Sequence, residues 1–241
     1  MSHTDPHDNP TGPPSASTAT GAFTVTDVDK LAERVLALIP QQGRILVGIA
    51  GSPGAGKTTC AIAVAARIAE LLGSAETAVH LPMDGYHLAN ATLDRLGRRH
   101  RKGAIDTFDG WGFVALLRRL LCEPGNIVYA PSFRRDVDEG IAAEIAVSPD
   151  TRVVIVEGNY LLAEAEPWAQ INELLTESWF CQTREQERFN RLVKRHERYG
   201  RSREDARAWA QSVDGLNAQL VEATRSRATL IISGSSDGEN A

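Results

Sequence analysis

Two hydrophobic periodicities alternate along the chain. Short runs of Val, Ile and Leu indicate buried strands, and longer segments with apolar residues every three or four positions indicate helices. The predicted strands are 45–50, 77–81, 126–130, 152–156, 178–181 and 228–233. The predicted helices are 27–39, 60–72, 111–122, 183–198 and 202–224. This alternation favours a mostly parallel sheet covered by helices on both faces, with sites at the carboxyl ends of the strands.

The two ends of the chain differ from this pattern. Residues 1–22 are mostly Pro, Ser, Thr, Asp, Gly and Asn, and residues 234–241 are also polar. Such segments bury too little apolar surface to offset the entropy of ordering them. We therefore predict two disordered tails around a single domain of residues 23–233.

Composition narrows the class of protein. A net charge of −5 argues against general nucleic-acid binding, which depends on positive potential. The sequence contains no apolar run near the ~20 residues that span a bilayer and no signal-peptide pattern. Cys60, Cys122 and Cys181 form neither a metal-binding spacing nor a disulfide framework. We expect a cytoplasmic protein with a small-molecule substrate, no nucleic acid and no membrane partner, and the sequence leaves a homodimer open.

The strongest chemical signal is a glycine-rich loop between a predicted strand and a predicted helix. It matches G-x-x-x-x-G-K-T, in which backbone amides and the helix amino terminus bind phosphate oxygens. Lys57 can reach the β- and γ-phosphates, and the Thr58 hydroxyl can bind Mg²⁺. We predict that a nucleoside triphosphate is bound by Gly51, Ser52, Pro53, Gly54, Ala55, Gly56, Lys57, Thr58 and Thr59.

Two carboxylates follow predicted strands. Asp84 comes after strand 77–81, where a carboxylate can accept the proton of an attacking hydroxyl; an Asp-Gly turn explains it as well. Glu157 ends the run Val153-Val154-Ile155-Val156, where it suits Mg²⁺ coordination, although an acid that caps a helix fits the same position. Both carboxylates should lie at the same sheet edge as the glycine loop.

Basic residues form two groups. Arginines at 184, 188, 191, 195 and 198 recur every three or four residues, so they line one helical face. The helix is either a lid with one or two arginines at a transferring phosphoryl group or a solvated charged surface. The basic loop 98–103 binds acidic substrate groups or is simply exposed.

Several ordered segments together resemble a known family. They are GIAGS-x5-KTT at 48–59, MDGY at 83–86, VEGNYLL at 156–162, NRL at 190–192, and Asn217 followed by RSRA at 225–228. Over about residues 43–233 the chain resembles the phosphate-loop (P-loop) kinases that include uridine kinase, phosphoribulokinase and bacterial (type I) pantothenate kinase. The resemblance implies a three-layer α/β/α P-loop NTPase fold with a mostly parallel sheet and a lid helix.

The resemblance also implies roles for individual residues. Asp84 matches the catalytic base, Arg191 an arginine near the transferred phosphate, and Glu157 the acid near Mg²⁺ and substrate. Asn217 matches an asparagine that contacts pantothenate, and residues 129–145 resemble strands that cover the substrate. The implied catalytic residues are Lys57, Asp84 and Arg191; the implied metal ligands are Thr58 and Glu157; the implied substrate-binding residues are Asp84, Tyr86, Arg135, Glu157 and Asn217.

The predicted function is phosphorylation of a hydroxyl on a small metabolite, with ATP and Mg²⁺. The acceptor stays open, because the chain has Phe133 where pantothenate kinases have a histidine, and Phe-Arg-Arg at 133–135 where many small relatives have Phe-Asp-Arg. A nucleotide switch or a metallochaperone-type NTPase shares the loop. The Asn/Thr-Lys-x-Asp element of GTPases and the Cys or His clusters of metal-delivery proteins are both missing from the sequence.

Overall fold

The centre of the protein is a fully parallel six-stranded sheet. The computed structural model describes residues 22–23 and 27–234, so the predicted tails lie outside the described residues except for Ala22 and Gly234. The described strands are β1 (Ala22–Phe23), β2 (Ile45–Ala50), β3 (Ala78–Pro82), β4 (Val128–Arg134), β5 (Glu139–Val147), β6 (Val153–Glu157), β7 (Glu177–Gln182) and β8 (Leu230–Ser233).

Helices of very different length connect these strands. They are α1 (Val28–Leu36), α2 (Lys57–Leu71), α3 (Asn90–Arg95), α4 (Gly110–Cys122), α5 (Ile171–Leu174), α6 (Glu185–Arg198) and α7 (Arg203–Glu222). Side chains cap two of them, because Asp109 accepts from the Gly112 amide before α4 and Ser202 accepts from the Asp205 amide before α7. No helix in the described residues has the length and apolar character needed to cross a membrane.

The strand order places β2 and β6 at the middle of the sheet. The order is β1-β8-β7-β2-β6-β3, and every neighbouring pair is parallel. All five residues of β6 are buried, which confirms the prediction of a buried central strand from its β-branched run. The registers align Glu157 with Ile49 of β2 and with Pro82 of β3. The carboxyl ends of these three strands therefore meet at one edge of the sheet.

Alternate residues of the central strands supply two separate cores. Val47 and Val153 pack with α1 and α2 on one face, whereas Leu46 and Val154 pack with α4 on the other. Each core excludes water from an apolar surface that neither the sheet nor the helices can bury alone. The predicted three-layer α/β/α architecture is confirmed.

The segment around the predicted strand 126–130 forms a separate structure. Strands β4 and β5 pair antiparallel in a two-stranded sheet outside the central one, with a register shift between Ala130 and Ser132. A short apolar run does not specify its pairing partner, so the sequence pattern predicted this strand without showing that it leaves the main sheet. The hairpin corresponds to the segment 129–145 that the resemblance assigned to the substrate.

The hairpin packs closely on the 3₁₀ turn Met83–Tyr86 that follows β3. A Cβ atom added at Gly85 would overlap the Pro131 carbonyl oxygen and lie 2.7 Å from the carbonyl carbon. Because the obstacle is backbone, no side-chain rotation can relieve it. Gly85 therefore allows the hairpin to approach the turn that carries Asp84.

We predict that Gly85→Ala destabilises the protein, because the added methyl forces β4 away from the turn. The expected loss in free energy of unfolding is on the order of 1–3 kcal/mol, measured by urea denaturation. Gly125→Ala is the matched control, because a Cβ there meets nothing within 4 Å. Equal urea midpoints for the two variants would contradict the close approach.

Candidate active site

The glycine-rich loop between β2 and α2 depends on backbone conformations that favour glycine. Gly54 and Gly56 have φ of 79° and 97°, and Gly51 has φ of 148°. A Cβ at Gly51 would also lie 2.5 Å from the Cys181 carbonyl oxygen. Helix α2 begins at Lys57, so the unpaired amides of its first turn face the space in front of the loop. This geometry forms an anion-binding site at a helix amino terminus.

Lys57 is buried at the start of this helix, and its ammonium group is the positive charge next to the loop. Its Nζ donates to the Ser52 carbonyl oxygen at 3.0 Å and to Asn159 Oδ1 at 2.8 Å. Burial lowers the pKa of Lys57, and the negative charge of Glu157 opposes this effect. An anionic ligand would stabilise the charged ammonium further. No role was predicted for Asn159, which lies three residues after the predicted strand 152–156 and two residues after the end of β6.

Thr58 and Glu157 provide oxygen atoms that suit a hard cation. Thr58 Oγ1 donates to Glu157 Oε1 at 3.0 Å, and His80 Nε2 lies 3.6 Å from the same carboxylate oxygen. Among the described residues, no cluster of three or more His, Cys, Asp or Glu could hold a metal alone. Mg²⁺ typically binds through one or two protein oxygens together with phosphates and water. These residues therefore fit Mg²⁺ that arrives with a nucleotide.

Asp84 reaches the same edge of the sheet from the 3₁₀ turn after β3. Its Oδ2 lies 3.2 Å from Arg135 Nη2, which the β4–β5 hairpin supplies. Burial alone would raise the pKa of the Asp84 carboxyl, but the neighbouring charges, those of His87 and Arg135 foremost, hold it below its usual value. Asp84 is therefore ionised at neutral pH and can accept a proton.

One cavity of about 1000 Å³ connects these groups. The loop residues that line it are Pro53, Gly54, Gly56, Lys57, Thr58 and Thr59, whereas Gly51, Ser52 and Ala55 lie buried beneath them. The other predicted site residues in the lining are Asp84, Arg135, Glu157, Arg191 and Asn217. The lining also includes Arg195 of the predicted arginine face, and residues for which no role was predicted, among them His87, Phe108, Asn159, His196 and Trp209.

Tyr86 is the predicted substrate-binding residue that the structure places elsewhere. Its ring packs on Phe113, with 5.2 Å between ring centroids, and it is not part of the cavity lining. Burial raises its pKa to about 12. The next residue, His87, lines the cavity instead and stacks between Phe108 and Phe133 at centroid distances of 4.0 and 4.6 Å. The 3₁₀ turn directs Tyr86 towards the core beneath the hairpin.

The arginines of α6 do not share one environment. Arg184 and Arg198 are exposed, as expected for a solvated helix face. Arg188 is buried and its Nη1 donates to the Pro53 carbonyl oxygen at 3.3 Å. Arg191 Nη1 donates to the carbonyl oxygens of Gly54 at 3.4 Å and of Gly234 at 2.9 Å. The helix therefore lies against the loop along the face that carries residues 188 and 191.

The basic loop 98–103 contacts the hairpin rather than only solvent. Arg99 Nη1 lies 2.8 Å from Asp138 Oδ2, and Lys102 Nζ lies 3.2 Å from the same carboxylate oxygen. Lys102 also donates to Asn90 Oδ1 at 2.6 Å and lies over the Phe133 ring, 5.0 Å from its centroid. These contacts attach the loop to the turn between β4 and β5 at the side of the cavity.

Asn217 lies on α7 opposite this loop and is nearly buried. Its Nδ2 donates to the Gly103 carbonyl oxygen at 3.1 Å, and Tyr160 Oη donates to the same oxygen at 2.7 Å. Asn217 lines the cavity, whereas Tyr160 lies in the core. The amide thus fixes one wall of the cavity and is also positioned to meet a bound molecule.

Comparison with known proteins gives the class of this protein. No family model matches the chain. A Schizosaccharomyces pombe protein named "Putative uridine kinase C227.14" is 37% identical over 154 residues, which cover 62% of this chain and 65% of that protein. An Aspergillus versicolor protein named "ATP-dependent kinase-like protein notR'" is 40% identical over 152 residues, 59% of this chain and 88% of that protein.

A solved structure agrees with these relatives. The "putative fructose transport system kinase from Silicibacter sp. TM1040" superposes with a TM-score of 0.77 and 37% sequence identity, over 85% of this chain and 98% of that one. The fold and the loop are those of a P-loop kinase. The chain belongs to the P-loop kinases of the group that includes uridine kinase.

We predict that Asn217→Ala lowers kcat/KM for the acceptor by about 1–3 kcal/mol, which is about 5- to 150-fold, and leaves the KM for ATP unchanged. The reason is the loss of a nearly buried amide that lines the cavity and is positioned to meet a bound molecule. Tyr160→Phe is the control, because it removes the other hydrogen bond to Gly103 without changing the lining. An equal fall in kcat/KM in both variants would assign the effect to the position of Gly103 instead.

Proposed function

We propose that the protein transfers the γ-phosphate of ATP to a hydroxyl group of a small metabolite, together with Mg²⁺. The observation that carries the proposal is the convergence of Lys57, Asp84 and Glu157 on one cavity. A phosphate-binding cation, a proton acceptor and an acid suited to Mg²⁺ are the groups that phosphoryl transfer to an alcohol requires.

ATP binding rests on the loop and on α2. The amides of the loop and of the first turn of α2 surround the β- and γ-phosphates, and Lys57 exchanges its contact with Asn159 for phosphate oxygens. Glu157 and Thr58 would hold Mg²⁺. When bound, Mg²⁺ neutralises charge on the phosphate oxygens and thereby favours attack by an electron-rich oxygen.

Asp84 acts as the general base in this proposal. Its carboxylate accepts the proton of the acceptor hydroxyl while that oxygen forms a bond to the γ-phosphorus. The bond between this phosphorus and the β–γ bridging oxygen breaks, and its electron pair leaves with ADP. Arg135 contacts the carboxylate from the hairpin that packs on the same turn, and its charge, after that of His87, lowers the pKa of Asp84.

The acceptor side of the cavity suits a hydroxyl-rich molecule. The stacked rings of Phe133 and His87 line it, together with the polar side chains of Asn217 and Lys102. The names of two similar proteins refer to uridine and to fructose transport, and both uridine and fructose carry several hydroxyls. We therefore favour a nucleoside or a sugar among the acceptors, with pantothenate as a further candidate.

The proposal predicts that Asp84→Asn loses acceptor-dependent turnover. The amide keeps the size of the side chain but cannot accept the proton, so kcat should fall by about 10²–10⁴-fold. The measurement is ADP release from ATP in the presence of nucleosides, sugars and pantothenate, tested one at a time. ATP affinity, measured by calorimetry, should change little.

Asp150→Asn is the matched control, because Asp150 is exposed and lies outside the cavity. It should retain wild-type turnover. Wild-type turnover in Asp84→Asn would remove Asp84 from the role of base. ADP release that no acceptor stimulates, in the wild-type protein, would instead favour an NTPase without a small-molecule acceptor.

A further inference from the structure

His87 lines the cavity beside the proposed base but has no part in the proposed reaction. Asp84 lies in the 3₁₀ turn Met83–Tyr86, and His87 follows at the carboxyl end of that turn. Side chains three residues apart lie one above the other in 3₁₀ geometry, and both of these line the cavity. Among the neighbouring charges that act on Asp84, that of a protonated His87 is the largest. The two side chains are therefore neighbours at one wall of the cavity.

One ring nitrogen of His87 carries a proton. Nδ1 lies 2.7 Å from the backbone carbonyl oxygen of Asp84. Because a carbonyl oxygen has no proton to give, the hydrogen in this bond belongs to Nδ1. In a neutral imidazole the other nitrogen, Nε2, then holds a lone pair and can only accept a hydrogen bond.

The surroundings of His87 favour this neutral ring. Burial lowers the pKa of His87, and the nearby Asp84 carboxylate only partly offsets this effect. The positive charges of Lys102 and Arg135 lower the pKa further. Because the ordinary pKa of histidine already lies below 7, the ring is neutral at neutral pH.

The acceptor nitrogen of His87 is left without a partner. Nε2 forms no hydrogen bond with any residue in the described part of the chain and, unlike His80 Nε2, it is not sealed from the surrounding space. The rings of Phe108 and Phe133 hold the imidazole between them, and neither ring can donate a hydrogen bond. Nε2 is therefore open to a donor in the cavity that His87 lines.

The number of hydrogen atoms on the acceptor decides what this donor is. A hydroxyl group has one hydrogen, and in the proposed reaction Asp84 takes the hydrogen of the reacting hydroxyl. Nε2 therefore needs a second donor. Since the side chains of Asp84 and His87 are neighbours, the second donor lies close to the reacting hydroxyl.

We propose that His87 Nε2 accepts a hydrogen bond from a second hydroxyl of the acceptor, next to the one that is phosphorylated. The acceptor is then a sugar or another polyol with neighbouring hydroxyls. The inference rests on the proposed phosphoryl transfer. The second hydroxyl keeps its hydrogen throughout, while Asp84 takes the proton of the reacting hydroxyl, that oxygen bonds to the γ-phosphorus and the bond to ADP breaks. His87 thus acts as a substrate-binding residue that selects the acceptor, because an acceptor without the second hydroxyl leaves Nε2 unpaired.

Two variants separate the roles of the two ring nitrogens. His87→Asn keeps an amide N–H near the position of Nδ1 and removes the acceptor at Nε2, whereas His87→Gln places an amide oxygen near the position of Nε2. The measurement is kcat/KM from ADP release, with D-fructose and its monodeoxy analogues and with uridine and its 2′- and 3′-deoxy analogues.

We predict that the wild type loses about 5- to 150-fold in kcat/KM when the hydroxyl next to the phosphorylated one is removed. His87→Asn should lose a similar factor with the intact acceptor and no longer distinguish it from the deoxy analogue. His87→Gln should regain part of this discrimination, which a merely structural role of His87 would not produce. The inference is overturned if the wild type uses every deoxy analogue as well as the parent, or if His87→Asn still discriminates.

A second measurement needs no acceptor and so separates this inference from the proposed function. In ¹⁵N NMR of the histidine rings at neutral pH, the wild type should show His87 with a protonated Nδ1 and an unprotonated Nε2. The signals are assigned by their loss in His87→Gln. A proton on Nε2, alone or together with one on Nδ1, would overturn the inference. A wild-type protein that shows the expected ring but phosphorylates none of the acceptors would contradict the proposed function and not the assignment of Nε2 as a hydrogen-bond acceptor.

Discussion

The backbone conformation of the phosphate loop is the constraint on which the rest of the site depends. The loop turns its amides towards the cavity, so its own polar groups need partners from neighbouring elements. Thr183 donates to the Ala55 carbonyl oxygen at 2.8 Å, and Ser52 Oγ donates to Glu222 at 2.6 Å. Arg191 adds its contacts from α6. The loop therefore determines where β7, α6 and α7 lie, and α6 in turn determines which arginines enter the cavity.

The register of the parallel strands determines where the other groups of the proposed active site lie. Glu157 is aligned with Ile49 of β2 and with Pro82 of β3, so the acid, the start of the loop and the turn that carries Asp84 lie at the same height. The hairpin then supplies Arg135 to Asp84 through the close approach at Gly85. The acid ends a strand of the central sheet, and the base and the lysine lie on elements that follow strands of that sheet, whereas the proposed acceptor side is formed by connections between the strands. In such an arrangement the groups proposed for phosphoryl transfer can stay the same while the connections that would bind the acceptor differ between related proteins.

The features that could be predicted from the sequence are those that a short stretch of residues determines by itself. The strand 45–50 and the glycine loop were predicted because buried β-branched runs and left-handed glycines are local properties. Which arginines of α6 contact the loop is not a local property: helical periodicity places residues 188, 191 and 195 on one face, but only Arg188 and Arg191 donate to carbonyl oxygens of the loop. Likewise, the 3₁₀ turn that brings His87 rather than Tyr86 to the cavity depends on packing against the hairpin.

The central claim is that phosphate leaves ATP for a hydroxyl group of an acceptor and not for water. Phosphorus NMR of the protein with ATP, Mg²⁺ and a mixture of nucleosides and sugars tests this claim directly, because it distinguishes the products. The account predicts a phosphomonoester resonance that grows in equal amount with ADP, while inorganic phosphate stays at background. Growth of inorganic phosphate alone, with no phosphomonoester from any acceptor, would contradict it.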